Sequence, residues 1–354
     1  MKYRCIDIFC GAGGLSYGFS FSDCFEIIMA NDCNTDAVKT YKTNHPSVLM
    51  RCCDIAEIKE EELLELGRVD IVIGGPPCQS YSTLGKRQMD DKATLFWEYI
   101  RILSILKPKI FIFENVVGLL SMLKGKLFET ICRAFDDLGY RVSYSKLNAA
   151  DFGVPQNRER IFIVGCKKSI GNKHFVFPSQ KTKTKVSLRE AIGDLPEIES
   201  GEDGNNKNFL FEANNDFLKF VRKQKILTEH TSPQNNSNLC SIMRMLKDGE
   251  GREDLPISIR PKSGYANTYA KMWWEAPAPT ITRNFSTPSS SRCIHPRDSR
   301  ALSIREGARL QSFPDDYVFC GSDTAKRLQI GNAVPPLVSI ALAESVREFL
   351  FLNL

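Results

Sequence analysis

The stretch Cys5-Ile6-Asp7-Ile8-Phe9-Cys10-Gly11-Ala12-Gly13-Gly14-Leu15-Ser16 decides the fold. Cys5–Phe9 reads as a short apolar strand, and it runs through a glycine turn into a helical pattern. Glycines between a first strand and the following helix let a ligand approach the backbone closely. Asp32 follows about 20 residues on, just past a second strand, where a carboxylate can bond a ribose hydroxyl. A tight turn without a ligand is the plainer alternative. The glycines alone do not choose between a dinucleotide and S-adenosylmethionine.

Working outward, further strand candidates are Glu26–Ala30, a run around Val48–Cys52, Val69–Ile73, Ile110–Glu114 and Arg160–Gly165. They are rich in Ile, Val and Phe and nearly continuous in hydrophobicity, as strands covered on both faces are. Between them lie helical patterns, clearest at Thr94–Leu106, with Phe96, Tyr99, Ile100 and Leu103 on one face. Alternating strands and helices predict an α/β fold with a parallel sheet and helices on both sides. Asp54-Ile55 follows the third strand, where a carboxylate can reach an adenine amino group. After Lys167 the pattern weakens, and residues 178–262 are rich in Asn, Lys, Ser, Gly and Glu, which predicts a smaller, irregular domain with long loops. Helical patterns return at Ile304–Gln311 and Pro336–Leu350, the latter long enough to pack back on the first domain.

The strand at Val69–Ile73 ends in Gly74-Gly75-Pro76-Pro77-Cys78-Gln79-Ser80. Glycines and prolines shape a fixed turn and remove backbone donors. A cysteine directly after such a turn, at a strand's carboxyl end, is placed as a nucleophile, although a cysteine taken at random is more often a buried thiol. The polar run on to Asp91 is a candidate lid. The strand at 110–114 ends in Glu114-Asn115-Val116. A glutamate leaving a buried strand is poorly solvated, so its pKa is expected to rise and it can share a proton with a ring nitrogen. A helix N-cap acid is the bland reading. In Gln156-Asn157-Arg158-Glu159-Arg160 two guanidiniums stand two apart at the entry of a strand and are expected on one face. They suit a phosphate, a brace for the cysteine loop or a pyrimidine carbonyl, or else a structural Arg–Glu network.

Composition narrows the classes. Of 354 residues, 42% are apolar and 25% charged, the balance of a globular protein, and no apolar run is long enough to span a bilayer. The start of the chain reads as a strand and not as a signal peptide, so a cytoplasmic protein is expected. Twelve cysteines without a C-x-x-C pair predict reduced thiols, and the scattered histidines predict no metal site. The net charge is +5, and residues 170–300 hold 20 Lys and Arg against 15 Asp and Glu. That stretch is where a phosphate-facing surface is expected, with a plain solvated basic surface as the alternative.

Taken together, the sequence resembles the DNA (cytosine-5)-methyltransferase family, in particular the bacterial type II modification enzymes. The matching runs are Phe9-Cys10-Gly11-Ala12-Gly13-Gly14, Pro77-Cys78-Gln79, Glu114-Asn115-Val116, Gln156-Asn157-Arg158-Glu159-Arg160, Arg305-Glu306-Gly307-Ala308-Arg309-Leu310-Gln311-Ser312-Phe313-Pro314 and Gly331-Asn332-Ala333-Val334-Pro335-Pro336. They keep the family's order and span nearly the whole chain, apart from about 200–260. The resemblance implies a Rossmann-like, S-adenosylmethionine-dependent sheet over residues 1–168. It further implies a target-recognition domain over 169–295 and a segment at 296–354 returning to the first domain. It implies Cys78 as nucleophile, Glu114 at cytosine N3, and Arg160 holding the active-site loop and base, with Arg158 nearby. Phe9, Gly11, Ala12, Gly13, Leu15, Asp32, Asp54, Ile55, Pro77, Asn332 and Val334 are implied around the cofactor. One departure is Asp32, where the family more often carries glutamate.

The implied activity is sequence-specific methylation of C5 of cytosine in duplex DNA, with S-adenosylhomocysteine as product and no metal. Cytosine C5 lies inside the base stack, so the base must be flipped out. Backbone contacts from the basic segment offset that cost and weaken with salt. Arg244, Arg252, Arg260, Arg283 and Arg292 are candidates to reach guanine edges, with a phosphate contact or plain solvent exposure the more ordinary reading for any one of them. A monomer is expected, with no membrane partner, and a cognate restriction endonuclease acting separately is a candidate partner. Three other readings compete. A tRNA cytosine-5 methyltransferase of the same fold carries a Cys-Phe-Thr motif that this chain lacks. A non-catalytic DNA-binding homologue has no need of Cys78 or Glu114, yet both are present. A nicotinamide dehydrogenase leaves Pro77-Cys78-Gln79 unexplained.

Overall fold

The computed structural model of the chain describes residues 2–77, 94–182, 184–262 and 267–353. The chain divides into two units: residues 1–148, 159–179 and 338–354 form the first, and 149–158 with 180–337 form the second. These boundaries depart from the expected ones. The short run 149–158 and the whole of 296–337 group with the second unit, and only the last helix returns to the first.

The first unit opens with β1 (Tyr3–Ile8), α1 (Gly14–Phe21), β2 (Phe25–Asp32), α2 (Thr35–Asn44), β3 (Leu49–Cys52), α3 (Glu60–Glu65) and β4 (Ile71–Gly74). It continues with α4 (Thr94–Leu106), β5 (Ile110–Val116), α5 (Lys126–Asp137), β6 (Tyr140–Asn148) and β7 (Glu159–Lys167). The seven strands form one sheet in the order β3-β2-β1-β4-β5-β7-β6. The first five are parallel, and the central strands β1, β4 and β5 are largely buried, as their apolar runs predict, whereas β3 at the edge buries only Met50. The expectation of an all-parallel sheet is corrected at the far edge, where β7 runs antiparallel to both β5 and β6. β6 is a strand that the sequence reading misses. It is an edge strand carrying Arg141, Ser143, Ser145 and Lys146, so it shows no apolar run.

The core lies where α4 and α5 meet the sheet. Phe96, Tyr99, Phe111, Phe113 and Phe135 pack largely edge to face, and the Tyr99 hydroxyl donates to the Ile112 carbonyl at 2.9 Å. On α4 the buried face is Phe96, Tyr99, Ile102 and Leu103, whereas the expected Ile100 is only partly covered.

The second unit is irregular. Its helices are α6 (Leu188–Ile192), α7 (Asp216–Val221), α8 (Ser237–Met245), α9 (Ile304–Leu310) and α10 (Asp323–Asn332), and β8 (Ala270–Lys271) pairs with β9 (Arg292–Ile294). Every residue of α9 is buried, charges included. Arg309 spans Asp194 and Asp315, while Arg300 grips Glu306 at 2.7 Å and Asp298 at 2.8 Å. Buried guanidiniums persist because each meets carboxylates that satisfy its fork. Burial lowers the His295 imidazole to about 4 despite nearby Glu306. The chain closes with α11 (Pro336–Asn353), whose residues from Val338 on belong to the first unit. There Ser339 Oγ accepts from the Gly18 amide at 3.1 Å and donates to the Leu15 carbonyl, tying α11 to α1. No described helix is long and apolar enough to cross a membrane.

Candidate active site

Parallel pairing brings the carboxyl ends of β1 to β5 to one edge of the sheet, and the order reverses between β1 and β4. In open α/β sheets ligands sit at such a reversal. Most of the expected site residues in the first unit fall on the loops along this edge.

The loop after β1 is held by backbone geometry. Phe9, Gly11 and Gly13 take left-handed conformations, with φ of 58°, 53° and 85°. For Phe9 this costs about 1–2 kcal/mol, so neighbouring contacts must enforce it. The Cys10 amide donates to the Asn31 carbonyl at 3.0 Å, and the Gly13 amide to the Cys10 carbonyl at 2.9 Å. The Gly11 amide donates to Asp32 Oδ2 at 2.8 Å, and the Asn34 amide to Asp32 Oδ1 at 2.8 Å. Asp32 therefore braces the loop through both carboxylate oxygens. Burial pushes its carboxyl up, against the backbone donors of Asn34, Gly11 and Cys33. A Cβ added at Gly11 meets nothing within 4 Å, so the loop leaves open space beside its backbone. Ala12, Gly13 and Leu15 are buried, and Leu15 belongs to the apolar interior.

Beneath the loop, Ser16 Oγ lies 2.6 Å from Asp7 Oδ2 and 2.7 Å from the Tyr41 hydroxyl. Burial raises the Asp7 carboxyl to about 7, opposed by the Ser16 hydrogen bond and helped by the charge of Asp32. Asn31, beside Asp32 in the sequence, is buried and donates from Nδ2 to the Cys53 carbonyl at 3.0 Å. It thereby fixes the segment leading to Asp54. Asp54 itself is exposed and caps a single helical turn through the Ala56 amide at 3.0 Å, and Ile55 is buried.

The loop after β4 meets the end of β5. Side chains alternate along a strand, so Glu114 and Asn115 leave β5 on opposite faces. Asn115 is buried and donates from Nδ2 to the Pro76 carbonyl at 3.0 Å. Glu114 lies against Gly75, where an added Cβ would stand 2.7 Å from Glu114 Oε2. The Glu114 side chain is 14% exposed and pairs with Arg160 Nε at 3.1 Å. The sequence reading expects its burial and misses its pairing, because Arg160 reaches it only through the antiparallel register Val116↔Arg160. Pro77 is exposed at the end of the described turn. Cys78 and the candidate lid to Asp91 lie outside the described residues.

The two arginines part company. Arg160 belongs to β7, but Arg158 precedes the strand, so strand alternation does not govern it. Arg158 is buried in the second unit, donating from Nη1 to the Ile281 carbonyl and from Nη2 to the Gly331 carbonyl, each at 3.0 Å. The expectation of a shared face is not met, and the geometry of Arg158 is that of a brace. Asn332, exposed at the end of α10, and Val334, buried, also belong to the second unit.

A family model described as C-5 cytosine-specific DNA methylase matches residues 3–348. The type II methyltransferase M1.HphI of Haemophilus parahaemolyticus is 35% identical over 353 residues, covering 98% of this chain and 87% of that protein. The type II methyltransferase M.DdeI of Desulfomicrobium norvegicum is 35% identical over 368 residues, covering 96% and 88%. Among solved structures, a putative DNA modification methyltransferase encoded within an E. coli prophage superposes with a TM-score of 0.82 at 24% identity, covering 99% of this chain and all of that one.

Proposed function

The chain belongs to the C-5 cytosine-specific DNA methylase family, and from that premise we propose that it methylates cytosine through a covalent adduct between Cys78 and ring carbon C6. Methyl transfer to cytosine C5 of DNA is the family's activity, and S-adenosylmethionine is its cofactor. When bound, that cofactor supplies an electrophilic methyl group and leaves as S-adenosylhomocysteine. The open space at Gly11 and the carboxylate of Asp32 fit the amino-acid and ribose parts of such a molecule. Phe9, Ala12, Gly13, Leu15, Asp54, Ile55, Pro77, Asn332 and Val334 complete the proposed surroundings.

C5 of cytosine is a feeble nucleophile because the ring is electron-poor. Addition of the Cys78 thiolate at C6 makes C5 an enamine carbon. Cysteine suits this step, being partly ionised near neutral pH and intrinsically nucleophilic. Glu114 shares a proton at N3 and offsets the charge that develops on the ring. Arg160 orients Glu114 through their ion pair, and Arg158 acts at a distance, by bracing the second unit. After C5 is substituted, its proton is lost to solvent and the Cys78 sulfur is expelled. The substrate is duplex DNA, the target base is flipped out to reach Cys78, and the protein works as a monomer in the cytoplasm beside a separate restriction endonuclease.

The observation that carries this reading is the grip of β5 on the turn before Cys78: Asn115 holds Pro76 while Glu114 lies against Gly75. Bisulfite sequencing of DNA from cells expressing the chain tests the activity and maps the target. Cys78→Ser is expected to abolish methyl transfer while S-adenosylhomocysteine still binds. Duplex DNA with 5-fluorocytosine at the mapped target is expected to trap the adduct with the wild type alone. Substantial turnover by Cys78→Ser rejects the covalent scheme.

A further inference from the structure

The sequence offers Arg244, Arg252, Arg260, Arg283 and Arg292 as arginines able to read guanine, and the second unit treats them unequally. Arg244 pairs with Glu199 at 3.1 Å. Arg252 donates from Nε to the Pro261 carbonyl at 2.8 Å and pairs with Glu253. Arg260 pairs with the same Glu253 at 3.0 Å and donates to the Leu255 carbonyl. Arg292 stacks on the Trp273 ring, 4.2 Å from its centroid, and donates to the Gly249 carbonyl at 2.7 Å. Arg283 is exposed, and among the described residues its guanidinium makes no hydrogen bond or ion pair.

The backbone under Arg283 is held on several sides. The Ile281 amide donates to Gln156 Oε1 at 2.7 Å, and the Ile281 carbonyl accepts from Arg158 Nη1 at 3.0 Å. Thr280 Oγ1 donates to the Asn157 carbonyl at 2.8 Å, and Gln156 bridges to Ala278 in parallel. Gly331 presses directly on the peptide, since a Cβ there would stand 2.3 Å from the Arg283 nitrogen. Arg158 Nη2 closes the ring of contacts on the Gly331 carbonyl at 3.0 Å. The motif residues Gln156, Arg158 and Gly331 thus mount one short segment. What that segment exposes is uniform in chemistry: Thr280, Thr282, Arg283, Asn284, Thr287, Ser289 and Ser290 are all polar hydrogen-bonding residues. No Asp or Glu occurs from residue 276 to residue 297.

We propose that Arg283 reads a base edge of the target duplex, a role that rests on the DNA substrate assigned above. A bidentate bond from a guanidinium to guanine O6 and N7 needs both position and orientation, which a clamped backbone supplies. A phosphate contact needs only a nearby cation, and flexible lysines serve it equally well. The acid-free run from 276 to 297 adds no like charge of its own toward the DNA, and the neighbouring Thr and Asn side chains can donate or accept at adjacent positions. A guanidinium with no partner among the described residues breaks none of their bonds on binding.

The test compares the wild type with Arg283→Ala and Arg283→Lys, first mapping the wild-type target by bisulfite sequencing. Methylation is then measured on the mapped duplex and on duplexes carrying each single base-pair change around the cytosine, across a salt series. Arg283→Ala is expected to lower kcat/KM on the mapped duplex roughly tenfold to hundredfold and to erase discrimination at one base pair. S-adenosylhomocysteine affinity and Tm are expected to stay at wild-type values, and Lys is expected not to restore discrimination. An equal loss on every duplex with a shallower salt dependence identifies a phosphate contact and overturns the proposal. So does an unchanged preference, or a variant with lowered Tm. A wild type that methylates no duplex defeats the assigned function instead, and this proposal with it.

Discussion

Gly75→Ala separates catalysis from stability at the point where β5 grips the turn. The new methyl would sit 2.7 Å from Glu114 Oε2 and 3.3 Å from the Glu114 carbonyl oxygen. Ordinary carbon–oxygen contact begins near about 3.4 Å, so the carboxylate must retreat by roughly 0.7 Å. That atom is the free end of a side chain, and rotating it off its preferred angle costs only about 0.5–1.5 kcal/mol. The same retreat loosens the ion pair to Arg160 and takes Glu114 off the line to cytosine N3 proposed above. A misplacement on the order of 1 Å at reacting groups lowers rates about a hundredfold. Gly75→Ala is therefore expected to show kcat reduced about a hundredfold, with KM for S-adenosylmethionine near wild type, because the loop at Phe9–Gly13 is untouched. Transfer of a labelled methyl group to duplex DNA measures the first, and thermal unfolding checks that Tm falls only a few degrees. Wild-type turnover in a folded Gly75→Ala protein would refute the placement of Glu114 at the reacting base.

Unit two carries its own pH dependence. His295 is fully buried and titrates at about 4 against an unperturbed 6.5, so it stays neutral in the fold while the unfolded chain takes up a proton. Its contribution is present above pH 6.5 and is lost as pH falls toward 4, about 3 kcal/mol in all. Urea unfolding at pH 7 and at pH 4.5 is expected to show a smaller drop for His295→Gln than for the wild type, and an equal drop would exclude His295 as a source. Arg309→Met leaves the buried carboxylates of Asp194 and Asp315 only their longer 3.6 Å pairings with Arg222 and Arg305, and a loss of about 3 kcal/mol is expected in thermal unfolding. Restoring neutrality with Asp194→Asn in the same chain is expected to recover part of that loss, and no recovery would show that charge is not the cause.

Local rules were enough for a good share of this protein. The apolar run into Gly11 and Gly13, the period of α4, and the prolines before Cys78 each declare themselves within a dozen residues, because backbone sterics and hydrophobic period act over that range. The family assignment and the order of its motifs were legible on the same terms. The partners of those residues were not. β6 reads as polar because it is an edge, and β7 reverses direction because it returns from β6 as the second strand of a hairpin and lies between β6 and β5. Arg158 and Arg160 look equivalent two residues apart, yet one meets carbonyls at Ile281 and Gly331 and the other meets Glu114. Asn115 gains its role only where β4 and β5 lie side by side, and Arg283 stands apart from four similar arginines only once their partners have folded around them. Hydrogen bonds and ion pairs are satisfied by whichever groups the chain brings within about 3 Å, and for these residues those groups lie far away in sequence, so tertiary structure alone decided them.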